Sequence, residues 1–200
     1  RFFESRMQEE PSLKVPALIA LVCGLIGAVS ALMMTDITVA MLPAEMKGLG
    51  WLMVAFSTAV AFIGGFLAWI IYGFIFHIIS MAFKGQGSLN RTLEVTGYGF
   101  LPQVFGGIIG SIFSYLLLSG LTVPAMSSAE EIAAFSENLV TVLTTDPLAQ
   151  VAGIVGILFL IWSANIWIFG MKYARNLSTR DAALTVGIPV GIYILYTVIT

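Results

Sequence analysis

Residues 48–83 read GLGWLMVAFSTAVAFIGGFLAWIIYGFIFHIISMAF, 36 consecutive residues without a charge. That length falls between one and two crossings of a hydrocarbon core about 30 Å thick. As a single α-helix it reaches about 54 Å at 1.5 Å per residue, whereas two crossings need roughly 40 residues and a turn. The basic residues decide between them. One helix, tilted or preceded by an interfacial turn at Trp51, puts Arg1, Arg6, Lys14, Lys84, Arg91, Lys172, Arg175 and Arg180 on one side, with Lys47 alone opposite. A hairpin at Gly64-Gly65 splits the nine basic residues three against six and weakens that asymmetry. The sequence therefore predicts one helix over 50–83.

The rest of the chain has the same character. Of its 200 residues 58% are hydrophobic and 10% charged, and the mean hydropathy is +0.98. A globular domain carries about 25% charge, so the solvent implied here is a lipid bilayer. Disorder needs low hydrophobicity, and nucleic-acid binding needs a basic surface rather than a pI near 5.3, so both are excluded. Cys23, alone in an apolar run, allows no internal disulfide. The fold class read from the sequence is all-α: a polytopic membrane bundle of five transmembrane helices in one integral membrane domain, 1–200. The spans are expected near 15–35, 50–83, 98–121, 147–171 and 182–200. The first is too long for the h-region of a signal peptide and follows Glu9 and Glu10, so it is read as a retained helix. Pro189 inside the fifth is tolerated in lipid.

This arrangement places the N-terminus in the cytoplasm and the C-terminus on the opposite side, in the cell membrane if the source is prokaryotic. Outside the spans, Ser128-Ala-Glu-Glu131 fits a capping box, with Ile132, Phe135, Leu139 and Val142 following at helical spacing. They predict an amphipathic helix in the external loop, about 129–143. Ser178-Thr-Arg-Asp181 makes a similar start for the fifth helix, and Phe2 and Phe3 beside Arg6 suggest an interfacial segment ended by Pro11. The chain starts at Arg1 rather than at Met, which leaves room for terminal extensions.

The stretches Trp69-Ile-Ile-Tyr-Gly-Phe-Ile-Phe-His77, Phe83-Lys-Gly-Gln-Gly-Ser88 and Glu94-Val-Thr-Gly-Tyr-Gly-Phe-Leu-Pro102 carry a resemblance to the YIP domain family, named for binding Ypt and Rab GTPases. The resemblance implies five spans, a cytosolic N-terminus and a short tail on the far side. Eukaryotic members resemble one another in a long cytosolic N-terminal region with an Asp-Leu-Tyr-Gly-Pro motif, absent from these 200 residues. The chain is more similar to the short prokaryotic members, and no GTPase-binding role is carried onto any residue.

Polar groups inside the spans are costly and each needs an explanation. His77 lies seven residues before Lys84, and Asn165 seven before Lys172, which sets both about 10 Å beneath the cytoplasmic interface. Gln103, nine residues after Glu94, falls at a comparable depth. A polar layer of His77, Gln103 and Asn165 serves either as interhelical hydrogen-bond glue or, in the alternative reading, as the lining of an ion or small-solute channel or transporter.

A second group of residues marks the cytoplasmic face. Gly85 and Gly87, between Lys84 and Arg91, offer backbone amides and positive charge without the spacing of a phosphate-binding loop. Gly97, Tyr98 and Pro102 read as a helix break whose freed backbone groups suit a partner segment. With Glu94, Lys172 and Arg175, these residues form the expected surface for a protein partner or anionic lipid. Small residues at four-residue spacing (Ala20, Gly24, Ala28; Gly106, Gly110; Gly187, Gly191) fit helix packing within one chain or a homo-oligomer equally well. Trp167, near Lys172 and Tyr173, reads as part of an interfacial aromatic belt.

No catalytic signature, metal-ligand spacing or cofactor motif emerges. The function read from the sequence is a non-enzymatic membrane scaffold or interaction module, in contact with the bilayer, with no cofactor, no metal and no nucleic acid.

Overall fold

The computed structural model describes residues 2–124, 126 and 128–199. Arg1, counted above among the cytoplasmic charges, and Thr200, the end of the fifth span, lie outside them. The described residues are all-helical. A short α1 (Phe2–Arg6) precedes α2 (Lys14–Ala40). A 3-10 turn (Lys47–Leu49) then leads into α3 (Gly50–Ala82). The next span is broken into α4 (Leu89–Gly99) and α5 (Leu101–Ser119). After α6 (Ala129–Thr145) come α7 (Pro147–Ala174) and α8 (Thr179–Ile199). Five of these segments are long and apolar enough to cross a membrane, α4 and α5 together making one of them.

The 36 residues from Lys47 to Ala82 form one such segment without a hairpin. Gly64 and Gly65 lie within α3, where a hairpin would leave backbone groups unsatisfied in lipid. The helix α6 is capped as its sequence predicts. Ser128 Oγ accepts from the Glu131 N–H at 3.2 Å, and the Glu131 carboxylate accepts from the Ser128 N–H at 3.3 Å. Ile132, Phe135, Leu139 and Val142 are half-buried, while Glu137, Asn138 and Thr141 are exposed.

The core sits toward one end of the bundle, where the loop 84–88, the start of α4 and the end of α7 converge. Trp69, Phe76, Val95, Phe100, Trp167 and Met171 are its buried centre. Trp167 stacks on Tyr72 at 5.3 Å and meets Phe76 and Phe100 edge-on at the same centroid distance. Because Arg6, Arg91 and Arg175 lie here, we call it the basic end.

Along the bundle, α2 and α3 approach closely through small residues. A Cβ on Gly65 would lie 2.6 Å from the Gly24 nitrogen and 2.7 Å from its Cα, and one on Gly24 would lie 2.5 Å from the Phe62 carbonyl oxygen. Gly106 likewise meets Phe159. The stripe of Ala20, Gly24 and Ala28 and the glycine at 106 thus serve packing within one chain. Gly110, Gly187 and Gly191 have no neighbour within 4 Å of an added Cβ.

These adjacent glycines provide an internal control. Gly64→Ala, which meets nothing within 4 Å, should be neutral or stabilising by about 0.5–1 kcal/mol through helix propensity. Gly65→Ala forces α2 and α3 apart and should cost about 1–3 kcal/mol. Denaturant titration of the purified protein in detergent measures both, and equal effects would contradict the close α2–α3 contact.

Candidate functional site

At the basic end the chemistry begins with the break between α4 and α5. Pro102 has no N–H for the Tyr98 carbonyl, and the Phe100 N–H turns to Gly97 O at 3.1 Å. The Thr96 carbonyl is left without the helical partner that Phe100 would supply. Trp167 Nε1 donates to it at 2.7 Å, and Trp69 Nε1 donates to the Leu93 carbonyl at 2.8 Å. Only glycine fits beneath these rings. A Cβ on Gly99 would lie 2.0 Å from the Trp167 indole, and one on Gly97 would lie 2.4 Å from Pro16 Cβ. Two of the carbonyls near the break are therefore already taken by indoles. Trp167 is 1% exposed and lies in the core rather than in the interfacial belt expected for it, because α4 packs over that depth of α7.

Two polar networks hold the surface of this end. In the first, Glu94 is fully buried. Its Oε1 accepts from Arg6 Nε at 2.8 Å and from the Ser12 N–H at 3.3 Å, and its Oε2 accepts from Arg91 Nη1 at 2.6 Å. Arg91 also donates to the carbonyls of Arg6, at 3.2 Å, and of Glu9. Arg6 is further paired with the exposed Glu9 carboxylate. The bond to Glu94 pushes the Arg6 guanidinium above its usual range, so it stays charged at any physiological pH. The N-terminal segment is thereby strapped across α4, and Phe2 and Phe3 pack edge-on against Tyr98 at 5.3 and 6.4 Å.

In the second network Arg175, 2% exposed, closes α7 onto the loop after α3. Its Nε donates to Ser80 Oγ at 2.9 Å and its Nη2 to Gly85 O at 2.8 Å, while its Nη1 reaches Gly87 O. The Gln86 N–H returns a bond to Arg175 O at 2.8 Å. Burial pushes the Arg175 guanidinium below its usual range, although neutral oxygens surround it. Both helices end in the same way. Lys84 (φ 58°) and Asn176 (φ 51°) take the left-handed conformation. The following N–H groups of Gly85 and Leu177 bond back to Ser80 O and Lys172 O, each at 2.9 Å. Gly87, at φ 118°, has a conformation that glycine alone adopts readily.

Of the expected surface, Lys84 and Gly87 are exposed, and Gly85, Arg91, Tyr98 and Lys172 are half-buried. Glu94, Gly97, Pro102 and Arg175 are buried and act from beneath. The expected polar layer does not meet as one cluster. His77 Nδ1 lies 3.0 Å from Thr92 Oγ1, and Gln103 Nε2 donates to Ser163 Oγ at 3.0 Å. Asn165 is exposed on α7. Gln103 borders two cavities, of about 320 and 440 Å³, which neither His77 nor Asn165 lines.

Arg6, Ser12, Thr92, Ser80 and Ser163 were not anticipated as partners. The Arg91–Glu94 spacing of three on a helix was a readable signal, whereas the bonds across 82 to 95 residues had none. Among the described residues no three His, Cys, Asp or Glu side chains gather as metal ligands.

The sequence matches the Yip1 domain over residues 1–200. The chain belongs to the Yip1 domain family. It is a multi-pass membrane protein of that family, and it is similar to an uncharacterized protein of the archaeon Methanocaldococcus jannaschii. The two are 40% identical over 120 residues, which is 58% of this chain and 82% of that protein. No solved structure matches. The archaeal relative agrees with the resemblance to short prokaryotic members.

Within this Yip1-family chain, Glu94→Gln should release the strap. It leaves two half-buried arginines with half their acceptor, at a cost of about 1–3 kcal/mol. Amide exchange across residues 2–12 should quicken. Glu9→Gln, at an exposed carboxylate, should change stability by less than about 1 kcal/mol. Unaltered exchange in the Glu94 variant would show that the carboxylate is not what holds the segment.

Proposed function

We propose that this Yip1-family protein is a non-enzymatic membrane scaffold whose basic end faces the cytoplasm and engages a protein partner or anionic lipid. The observation that carries this reading is the division of labour among its charges. The buried ones, Glu94 and Arg175, are consumed in fixing the N-terminal strap and the loop 84–88. Lys14, Lys84 and Arg180 are exposed, and none of them forms an ion pair among the described residues. A braced platform that presents unpaired cations at the depth of lipid headgroups suits binding of anionic groups. It also suits the cytoplasmic leaflet, toward which basic residues are biased.

The scaffold reading asks nothing of the interior, where His77, Gln103 and Asn165 go to separate partners or none. The channel or transporter alternative needed them together, and their separation removes its support. The same face is where the family character favours a protein contact, with the strap and Lys84 forming its surface.

Replacing Lys84 and Arg180 together by Gln should lower the retention of phosphatidylglycerol by the purified protein. About 1 kcal/mol is expected per charge removed, roughly fivefold each. Native mass spectrometry measures the bound lipid. A retained protein partner lost from the same variant, with lipid unchanged, would favour the protein ligand instead. Unchanged binding of both would overturn the platform. Labelling of single cysteines by a membrane-impermeant maleimide tests orientation, with Lys84→Cys expected to react only from the cytoplasmic side and Glu137→Cys only from the other.

A further inference from the structure

Asn165 is a polar side chain for which the fold provides no partner. It is exposed on α7, and its amide makes no hydrogen bond among the described residues. Its depth makes this unusual. α7 has 28 residues, about 42 Å, of which roughly 20 residues fit the hydrocarbon core. Lys172 marks the end of that core, so Asn165, seven residues earlier, lies about 10 Å inside it. Lipid tails have neither donors nor acceptors for an amide, and headgroups do not reach that depth.

The surrounding face of α7 has a regular pattern. Val151, Ile154, Leu158, Ile161 and Phe169 are all exposed, with Ile154 60% and Leu158 59% accessible. From Val151 to Asn165 the steps are three, four, three and four, the spacing of a helix-pairing seam, and Asn165 occupies one of its positions. A polar residue at one position of such a seam sets register and partner number.

We infer that this seam is a homodimer interface, in which α7 of two copies pack together and the two Asn165 amides bond to each other. The geometry of a membrane selects a second copy as occupant. Two molecules inserted with the same topology carry Asn165 at the same depth, and a two-fold axis along the membrane normal brings each residue on the axis against itself. An amide is both donor and acceptor, so the pair satisfies itself reciprocally. Small-residue contacts at Gly24, Gly65 and Gly106 are used up inside the chain, which leaves the α7 seam as a distinct surface. This interface is independent of what the basic end binds.

The test uses the full chain in liposomes, in a Cys23→Ala background. Cysteines at Leu158→Cys and Ile161→Cys should cross-link between copies on oxidation, and Ile192→Cys, on the lipid-facing side of α8, should not. Energy transfer between labelled copies should show Asn165→Leu weakening the dimer roughly three- to thirtyfold, with Asn165→Gln close to the parent. Because Asn165 faces outward, the Leu variant should keep the parent's unfolding midpoint when both are diluted to monomers. Three results would each overturn the inference: a monomer at every protein-to-lipid ratio, cross-linking through Ile192 in place of Leu158 and Ile161, or a dimer indifferent to Asn165→Leu.

Discussion

In a bilayer a backbone carbonyl that loses its helical partner cannot turn to water. The bond from the Trp167 indole to Thr96 O, 2.7 Å long, supplies what the broken span lacks, and much of the basic end is arranged around it. It requires Gly99, since any Cβ there would occupy the ring, and it brings α7 against α4. The same ring then supports Tyr72, Phe76 and Phe100. A solvent-exposed helix break would need none of this. The four-ring cluster around Trp167 therefore lies where the backbone is irregular, as the solvation requirement demands.

Glu94 follows from the same arrangement. Once α4 lies across α7, a carboxylate on its inner side is removed from water, and an ionised group there is tolerated only with partners of opposite charge. Arg91, one turn back, is supplied by the helix itself. Arg6 is drawn in from the N-terminus, and with it comes the whole strap. Burial at this end is thus a chain of consequences, each polar group requiring the next.

How much of this was legible depended on the range of the interaction. The absence of a hairpin at Gly64-Gly65 could be read because the nine basic residues are so few that their sidedness is informative. The capping box at Ser128 could be read because its partners stand three residues apart. Trp167 was misplaced for a physical reason: proximity to Lys172 and Tyr173 describes depth along the membrane normal, while burial depends on which helix covers that face. The layer of His77, Gln103 and Asn165 has the same weakness. Equal depth does not imply a common facing, and α7 turns Asn165 outward while its neighbour Ser163 takes the Gln103 amide. The glycine stripes were ambiguous from sequence because close approach looks alike whether the partner helix is in the same chain or another.

The sequence order of the buried charges has a consequence for assembly. A membrane protein emerges from its N-terminus, so a residue can be neutralised on arrival only by groups already made. Glu94 finds Arg6, Ser12 and Arg91 ahead of it, and Arg175 finds Ser80, Gly85 and Gly87. Neither waits for a later segment. In the order of synthesis, both ions therefore meet partners that the chain already contains.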